Sequence, residues 1–193
     1  MNTLPDRIFF TGVPGSRWSG IAQTIETLPG FNTSDRSSER EYSHNQYSGH
    51  LGAYFGYKME LEPILKAEYI DAAWQNTKAC RLIKSHDWAY MLEDIKLEFP
   101  NDWIMMVYRP DMASYAWWHQ AGGFTIKYPN YSWYENSSVM LGRIAEQNNK
   151  ILEFGFKKNL QWSYFTSQWI EETFKERIKV DKQWTDILVT ILK

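Results

Sequence analysis

The chain lacks the features that define several common classes of protein. Its single cysteine, Cys80, excludes an internal disulfide and any metal site built from several cysteines. Lys and Arg total 21 and Asp and Glu total 23, so the net charge of −2 excludes a generally basic nucleic-acid-binding protein, although not a local anion site. No apolar run approaches the roughly 18 residues of a membrane helix, and no signal peptide is visible. We therefore expect a cytoplasmic protein without membrane or nucleic-acid partners.

Aromatic residues, by contrast, are abundant. The chain has 10 Trp, 12 Tyr and 10 Phe among 193 residues, which is more than a core of this size requires. We expect some of these rings to line a groove or an interface. The length predicts a single domain covering residues 1–193, and a hydrophobic content of 44% excludes a highly charged disordered chain.

Short apolar runs alternate with helical patterns along the chain. Runs at 7–13, 80–84 and 103–108 are typical of buried parallel strands. The run at 186–192 is either a fourth strand, which we favour, or the end of a helix. This alternation predicts an α/β three-layer domain with a central parallel sheet. Residues 31–57 are predicted to be a long loop of the kind that forms a lid or a binding loop. The predicted helices lie at 19–28, 62–75, 88–99, from 112, from 137 or 138 to 154, and at 163–177.

Polar residues follow the three clear strands, and in parallel sheets ligands bind at the carboxyl ends of the strands. The first such segment, residues 12–19, joins a strand to a helix and therefore directs backbone N–H groups and a helix N-terminus at one point, which favours an anion. Gly12 and Ser19 match the ends of the nucleoside-triphosphate loop G-x-x-x-x-G-K-[ST], but Arg17 and Trp18 replace its Gly-Lys. The frame is present without the lysine that is typical of ATP-binding proteins.

The same segment, Pro-Gly-Ser-Arg-Trp-Ser, resembles the phosphosulfate loop P-[KR]-S-G-[TS]-[TS] of sulfotransferases. The resemblance implies a P-loop nucleoside-kinase-like fold and the donor substrate 3′-phosphoadenosine-5′-phosphosulfate. Gly15 stands where that family has Lys or Arg, and Arg17 is expected to supply the charge instead, as a planar donor fork. Trp18 either stacks on adenine or packs beneath the helix. The residues predicted to bind the donor here are Gly15, Ser16, Arg17, Trp18 and Ser19.

The ends of the other two strands extend the resemblance. Lys84-Ser-His86 resembles the Lys-[TS]-His segment of the family, which implies His86 as the base and Lys84 as the residue that stabilises the leaving group. The segment from Ile104 to Ser114 resembles a compressed form of the 3′-phosphate element R-x-P-x-D-x-x-x-S, which implies that Arg109, and with it Ser114, binds the 3′-phosphate. The glycine-rich segment near the C-terminus of cytosolic sulfotransferases is not visible.

An aromatic cluster follows the third strand and is interpreted as the wall of an acceptor site, since rings stack on sugars and on flat apolar molecules alike. A buried mini-core or a dimer contact is the alternative, and the oligomeric state is left open. The expected acceptor is a small molecule or a carbohydrate with a hydroxyl or an amine, and the resemblance implies no metal. The cluster comprises Trp117, Trp118, Phe124, Tyr128, Tyr131 and Trp133.

The resemblance therefore implies a sulfotransferase, and two alternatives stay open. The first is a nucleotide or nucleoside kinase with a degenerate loop, against which the missing lysine argues. The second is a non-catalytic module that binds carbohydrate or protein through the aromatic surface.

Overall fold

A computed structural model of the chain describes residues 4–45, 48–57, 59–126, 135–180 and 184–193. In these ranges the strands are β1 (Arg7–Gly12), β2 (Glu41–Asn45), β3 (Ser48–Leu51), β4 (Arg81–Lys84), β5 (Trp103–Tyr108), β6 (Ser163–Tyr164) and β7 (Leu188–Leu192). The helices are α1 (Trp18–Ile25), α2 (Ala67–Asp71), α3 (Leu92–Glu98), α4 (Asp111–Gln120), α5 (Ser137–Lys157) and α6 (Ser167–Phe174). Short 3₁₀ turns lie at Ser38–Arg40, Asp87–Tyr90 and Gly123–Thr125.

The central sheet has five strands in the order β4-β1-β5-β7-β6. β1 pairs in parallel with β4 and with β5, which confirms the predicted parallel arrangement for the first three apolar runs. The run at the C-terminus is also a strand, but β7 pairs antiparallel with β5 and β6 pairs antiparallel with β7, so the sheet is mixed and not wholly parallel. The fold is α/β with a mostly parallel sheet.

Helices cover both faces of this sheet because alternate residues of its strands point to opposite sides. On one face Phe9 and Met106 belong to the core that contains Ile144 of α5. On the other face Phe10 and Val107 belong to the core that contains α1 and α6. This arrangement is compatible with the predicted three-layer architecture.

Several predicted helices are shorter than expected. The segment predicted at 62–75 forms only α2, and Pro63 disfavours helical conformation at the residue before it. The segment 88–99 divides into a 3₁₀ turn and α3. The helix predicted from 163 begins later, because Thr166 is the N-cap and accepts a hydrogen bond from the Trp169 N–H, and it ends where Lys175 adopts a left-handed conformation.

The predicted long loop at 31–57 contains regular structure. β2 and β3 form an antiparallel hairpin in which Tyr42 lies opposite His50. Tyr54 then bridges to Lys84 at the end of β4, so the segment that follows the hairpin is attached to the edge of the sheet. The position of this hairpin determines what borders the candidate site.

None of the helices in the described ranges is both long enough and apolar enough to span a membrane.

Candidate functional site

The carboxyl ends of β1, β4 and β5 lie at one edge of the sheet, because these strands are parallel neighbours. β1 lies between β4 and β5, and both of these strands follow it in the chain. The chain therefore passes from β1 to the neighbour on one side, β4, and then to the neighbour on the other side, β5. Such a reversal opens a crevice at the strand ends. Three predicted segments meet there: residues 13–17 after β1, Ser85 and His86 after β4, and Arg109 after β5.

The loop after β1 is held closely against α4. Gly15 has φ of 78°, and a Cβ atom there would overlap the carbonyl oxygen of Ser114 and lie 2.9 Å from the backbone nitrogen of Trp118. Only glycine fits both the left-handed backbone and this close approach. The Ser16 N–H donates to the carbonyl of Val13 at 3.0 Å, which closes the turn.

The N-terminus of α1 faces this loop without a side-chain cap. Arg17 occupies the N-cap position with φ of 64°, and its side chain makes no capping hydrogen bond. The first N–H groups of a helix have no partner within the helix, and the helix dipole favours negative charge beside them. The hydroxyl of Ser16 is fully buried and has no hydrogen-bond partner among the residues that the structure describes. Both features suit an anion at this position.

The side chain of Arg17 stacks on an indole ring. Its guanidinium carbon lies 3.3 Å from the centroid of one ring of Trp117 and 5.9 Å from that of Trp184. Burial lowers the pKa of Arg17, as does the charge of Arg109, while Asp186 opposes the change. Within the described part of the chain Arg17 forms no ion pair. Stacking occupies the face of a guanidinium and leaves its N–H donors in the plane, where they can bind an anion.

His86 lies at the end of β4 in a geometry suited to a base. Its Nδ1 atom contacts the carbonyl oxygen of Gly12, which can only accept, so Nδ1 carries the proton and Nε2 keeps its lone pair. The imidazole packs on Trp18 with ring centroids 4.1 Å apart. Burial lowers the pKa of His86 to about 4, against the opposing effect of the Gly12 carbonyl and together with a smaller effect of His44. At neutral pH the ring is therefore an uncharged base.

Lys84, predicted to act beside His86, has different surroundings. Its side chain is fully buried, and Nζ lies 2.7 Å from Oε1 of Glu26 and 3.8 Å from Oδ2 of Asp35. Nζ also donates to the carbonyl of Leu51 at 3.2 Å. To reach a leaving group, Lys84 would have to abandon this ion pair.

Arg109 and Ser114 are also engaged in contacts within the protein. Arg109 Nη1 donates to the carbonyl of Gly15 at 3.0 Å, and its Nη2 lies 2.7 Å from Oδ2 of Asp186. The Ser114 hydroxyl is fully buried and donates to the carbonyl of Arg109 at 3.2 Å. In this conformation Arg109 fastens the β1 loop to the segment before β7. The predicted contact with a 3′-phosphate would require both side chains to exchange these partners.

Two adjoining cavities lie beside the loop. The larger has a volume of about 400 Å³, and the smaller about 40 Å³. Arg17, Ser19, Ser48 and Trp117 line both of them. The larger cavity is also lined by Gly20, Gln23, Thr24, Gly49, Lys179, Val180 and Trp184. The smaller is also lined by Pro14, Gly15, Trp18, His44, His50, His86, Trp118, Ala121 and Ile126.

The predicted aromatic residues divide between the cavities and the core. Trp18 is only 3% exposed and packs on Phe10 beneath the helix, so the packing alternative describes it better than stacking on adenine. Trp117 lines both cavities, and the buried Trp118 lines the smaller one. Phe124 is exposed and lines neither cavity. Tyr128, Tyr131 and Trp133 lie outside the described residues.

His44 and His50 were not among the predicted site residues, yet the hairpin brings both to the smaller cavity. Their ring centroids are 4.4 Å apart, and the ring of His50 lies 4.5 Å from that of Tyr54. Burial lowers the pKa of His44 and lowers that of His50 well below its usual value. The sequence held one sign of this: Tyr42 and His44 are two residues apart, and in a strand this spacing places both side chains on the same face.

Within the described ranges no three or more His, Cys, Asp or Glu side chains are arranged to hold a metal ion. The chain matches no family model, no curated protein and no solved structure.

Proposed function

We propose that the protein is a sulfotransferase that moves a sulfuryl group from 3′-phosphoadenosine-5′-phosphosulfate to an acceptor on a P-loop-like frame. The observation that carries the proposal is the position of His86. Its neutral imidazole lines the same cavity as Arg17, at the uncapped N-terminus of α1. A base and an anion-binding group beside one cavity are what transfer of an anionic group to a hydroxyl requires.

The larger cavity suits the nucleotide part of the donor. Its volume of about 400 Å³ lies within the usual range of ligand pockets, roughly 300–1,000 Å³. Arg17 and Lys179 are the charged residues among its described lining, and both are cationic. Trp117 and Trp184 add two indole rings, which offer flat surfaces to a nucleobase.

The transfer step uses the tautomer of His86 described above. The acceptor oxygen attacks the sulfur of the donor while its proton passes to Nε2 of His86. The bond between the sulfur and the bridging oxygen breaks, and its electron pair leaves with 3′-phosphoadenosine-5′-phosphate. Arg17, the start of α1 and Ser19 stabilise the negative charge of the transferred group. The Gly12 carbonyl holds the imidazole in the correct orientation throughout.

The β1 loop departs from the family pattern in a way that this assignment accommodates. Gly15 cannot carry the lysine of related loops, because α4 occupies the space that its side chain would need. Arg17 supplies a cation two positions later. We assign Arg109 the positioning of the loop through its bond to the Gly15 carbonyl.

Calorimetric titration with 3′-phosphoadenosine-5′-phosphate, ADP and ATP tests donor recognition. We expect micromolar binding of the 3′-phosphorylated nucleotide and at least tenfold weaker binding of ADP and ATP. These two lack the 3′-phosphate, and with it one charged contact, which we assign to Lys179 in the larger cavity. Arg17→Ala should weaken the binding by a similar factor. Preference for ATP would instead favour a kinase, and no binding of any nucleotide would contradict the proposal.

The assignment of the base has its own test. His86→Ala should reduce sulfuryl transfer by about 10²–10⁴-fold, the usual contribution of a general base, and leave nucleotide binding almost unchanged. Because the pKa of His86 is about 4, the rate should be level near neutral pH and fall as pH decreases towards that value. His119→Ala is the matched control, because His119 is exposed and lines neither cavity. Normal turnover by His86→Ala would contradict the assignment.

A further inference from the structure

The two cavities differ in which reactive groups they contain. Three histidines line the smaller cavity and are absent from the described lining of the larger one: His44, His50 and His86. Arg17 and Ser19 line both, so a group bound at the start of α1 is accessible from either side. The acceptor must meet the base, and it therefore has to enter the smaller cavity. We call this cavity the histidine chamber.

The volume of the histidine chamber limits what can enter it. At about 40 Å³ it is about a tenth of the size of the larger cavity. A water molecule needs about 10–15 Å³ measured in this way, and an engineered apolar cavity that binds benzene has about 150 Å³. The chamber therefore has space for the tip of a group, two or three non-hydrogen atoms, which is too little for an aromatic ring. The rest of a larger acceptor lies outside the chamber, beyond its open side.

The lining of the chamber indicates the polarity of its occupant. The three imidazoles provide polar edges, while Trp118, Ala121 and Ile126 provide apolar surface. Burial lowers the pKa of each imidazole, so the three rings are neutral at neutral pH. An ammonium group would lose its hydration there without gaining an ion pair from these rings, and it would also meet the positive charge of Arg17, which lines the chamber.

We propose that the acceptor is an aliphatic alcohol, presented to His86 as an uncharged hydroxyl at the tip of a narrow group. This proposal rests on the proposed function and names the acceptor class for it. A primary hydroxyl of a sugar and the end of a straight-chain alcohol share this chemistry. Phenols are excluded by size, and protonated amines are excluded by charge. The proton of the hydroxyl passes to Nε2 of His86 as its oxygen bonds to sulfur.

Fluorine NMR on the full chain tests the chamber without any nucleotide. We expect the signal of 2,2,2-trifluoroethanol to broaden in the presence of the protein and that of 4-fluorophenol to stay sharp. Ala121→Val narrows the chamber and should abolish the broadening. Ala116→Val, at an exposed position on α4, which ends just before Ala121, should preserve it. Broadening of both probes by the unaltered protein, or no effect of Ala121→Val, would overturn the proposal.

A second variant should enlarge the chamber. His44→Ala removes a ring from the partly exposed hairpin and should admit 4-fluorophenol. With the donor present, a methyl hexopyranoside and 1-butanol should each be sulfated at least tenfold faster than phenol, and the faster of the two identifies the source of the hydroxyl. Faster sulfation of phenol would overturn the proposal. Selective broadening by trifluoroethanol without nucleotide binding would overturn the proposed function alone and leave the hydroxyl-selective chamber standing.

Discussion

The surroundings of Lys84 and of Arg17 differ in the respect that decides what a cation can bind. Lys84 is fully buried between two carboxylates, those of Glu26 and Asp35. Arg17 is partly exposed, stacks on Trp117 and has no ion pair within the described part of the chain. A cation whose charge is already balanced stabilises the fold, whereas one held by an aromatic face keeps its donors for a ligand.

The region of Lys84 joins three parts of the chain. Glu26 follows α1 and also accepts from Arg36 at 2.9 Å. The carboxylate of Asp35 accepts a hydrogen bond of 2.6 Å from the Ala53 N–H, just after the β2–β3 hairpin. The ion pairs therefore fix the hairpin segment beside β4, and with it the histidines that line the smaller cavity.

Of the substitutions that test this comparison, Lys84→Met should have the largest effect on stability. It removes the cation that Glu26 and Asp35 share, and although Glu26 keeps its contact with Arg36, Asp35 stays buried without an ion pair in the described part of the chain. Removing one partner of a buried ion pair costs about 3–5 kcal/mol of unfolding free energy. Urea denaturation followed by tryptophan fluorescence measures the loss. Lys150→Met is the control, because its side chain is 51% exposed and pairs with Glu153 at 3.7 Å on the surface of α5. Equal stability of the two variants would mean that the buried charges do not hold the fold together.

The contrast between these cations also shows what sequence reasoning can and cannot predict. The runs that became β1, β4 and β5 were predicted correctly, and 103–108 to the residue, because the interior of a strand buried on both faces is apolar without alternation. His86 was predicted to lie beside the loop because parallel strand ends share an edge. The partner of Lys84 was not predictable, since Glu26 lies 58 residues away and only the folded chain brings it there.

The direction of β7 and the hairpin of β2 and β3 were missed for a related reason. An apolar run reveals a strand but not the direction of its neighbour, so the sheet was expected to be parallel throughout. The hairpin residues are partly exposed and rich in polar groups, so their pattern suggested a loop. The contacts that hold it in place come from distant residues, such as Lys84, which donates to the carbonyl of Leu51, and Asp35, which accepts from the Ala53 N–H.

Gly15→Ala tests how tightly the loop that carries Arg17 is held against α4, and we expect its effect on stability to lie between those of the other two substitutions. The left-handed backbone and the overlap with α4 together should cost about 2–4 kcal/mol of unfolding free energy. Gly142→Ala on α5 is the control, because a Cβ atom there meets open space and should stabilise the helix by about 0.5–1 kcal/mol. Thermal unfolding of both variants measures the difference. Unchanged stability of Gly15→Ala would mean that the loop can move away from α4.

Arg17→Lys should have the smallest effect on stability and the most selective effect on binding. Lysine keeps the charge but loses the flat contact with Trp117, which is worth about 0.5–1 kcal/mol at a partly exposed site. It also replaces a planar donor fork with a single ammonium group, so nucleotide binding should weaken, but by less than the roughly tenfold expected for Arg17→Ala because the charge is kept. Calorimetry and urea denaturation on the same sample separate these two effects. If instead Arg17→Lys lost as much stability as Lys84→Met and bound nucleotide normally, Arg17 would be a structural cation and the distinction between the two regions would fail.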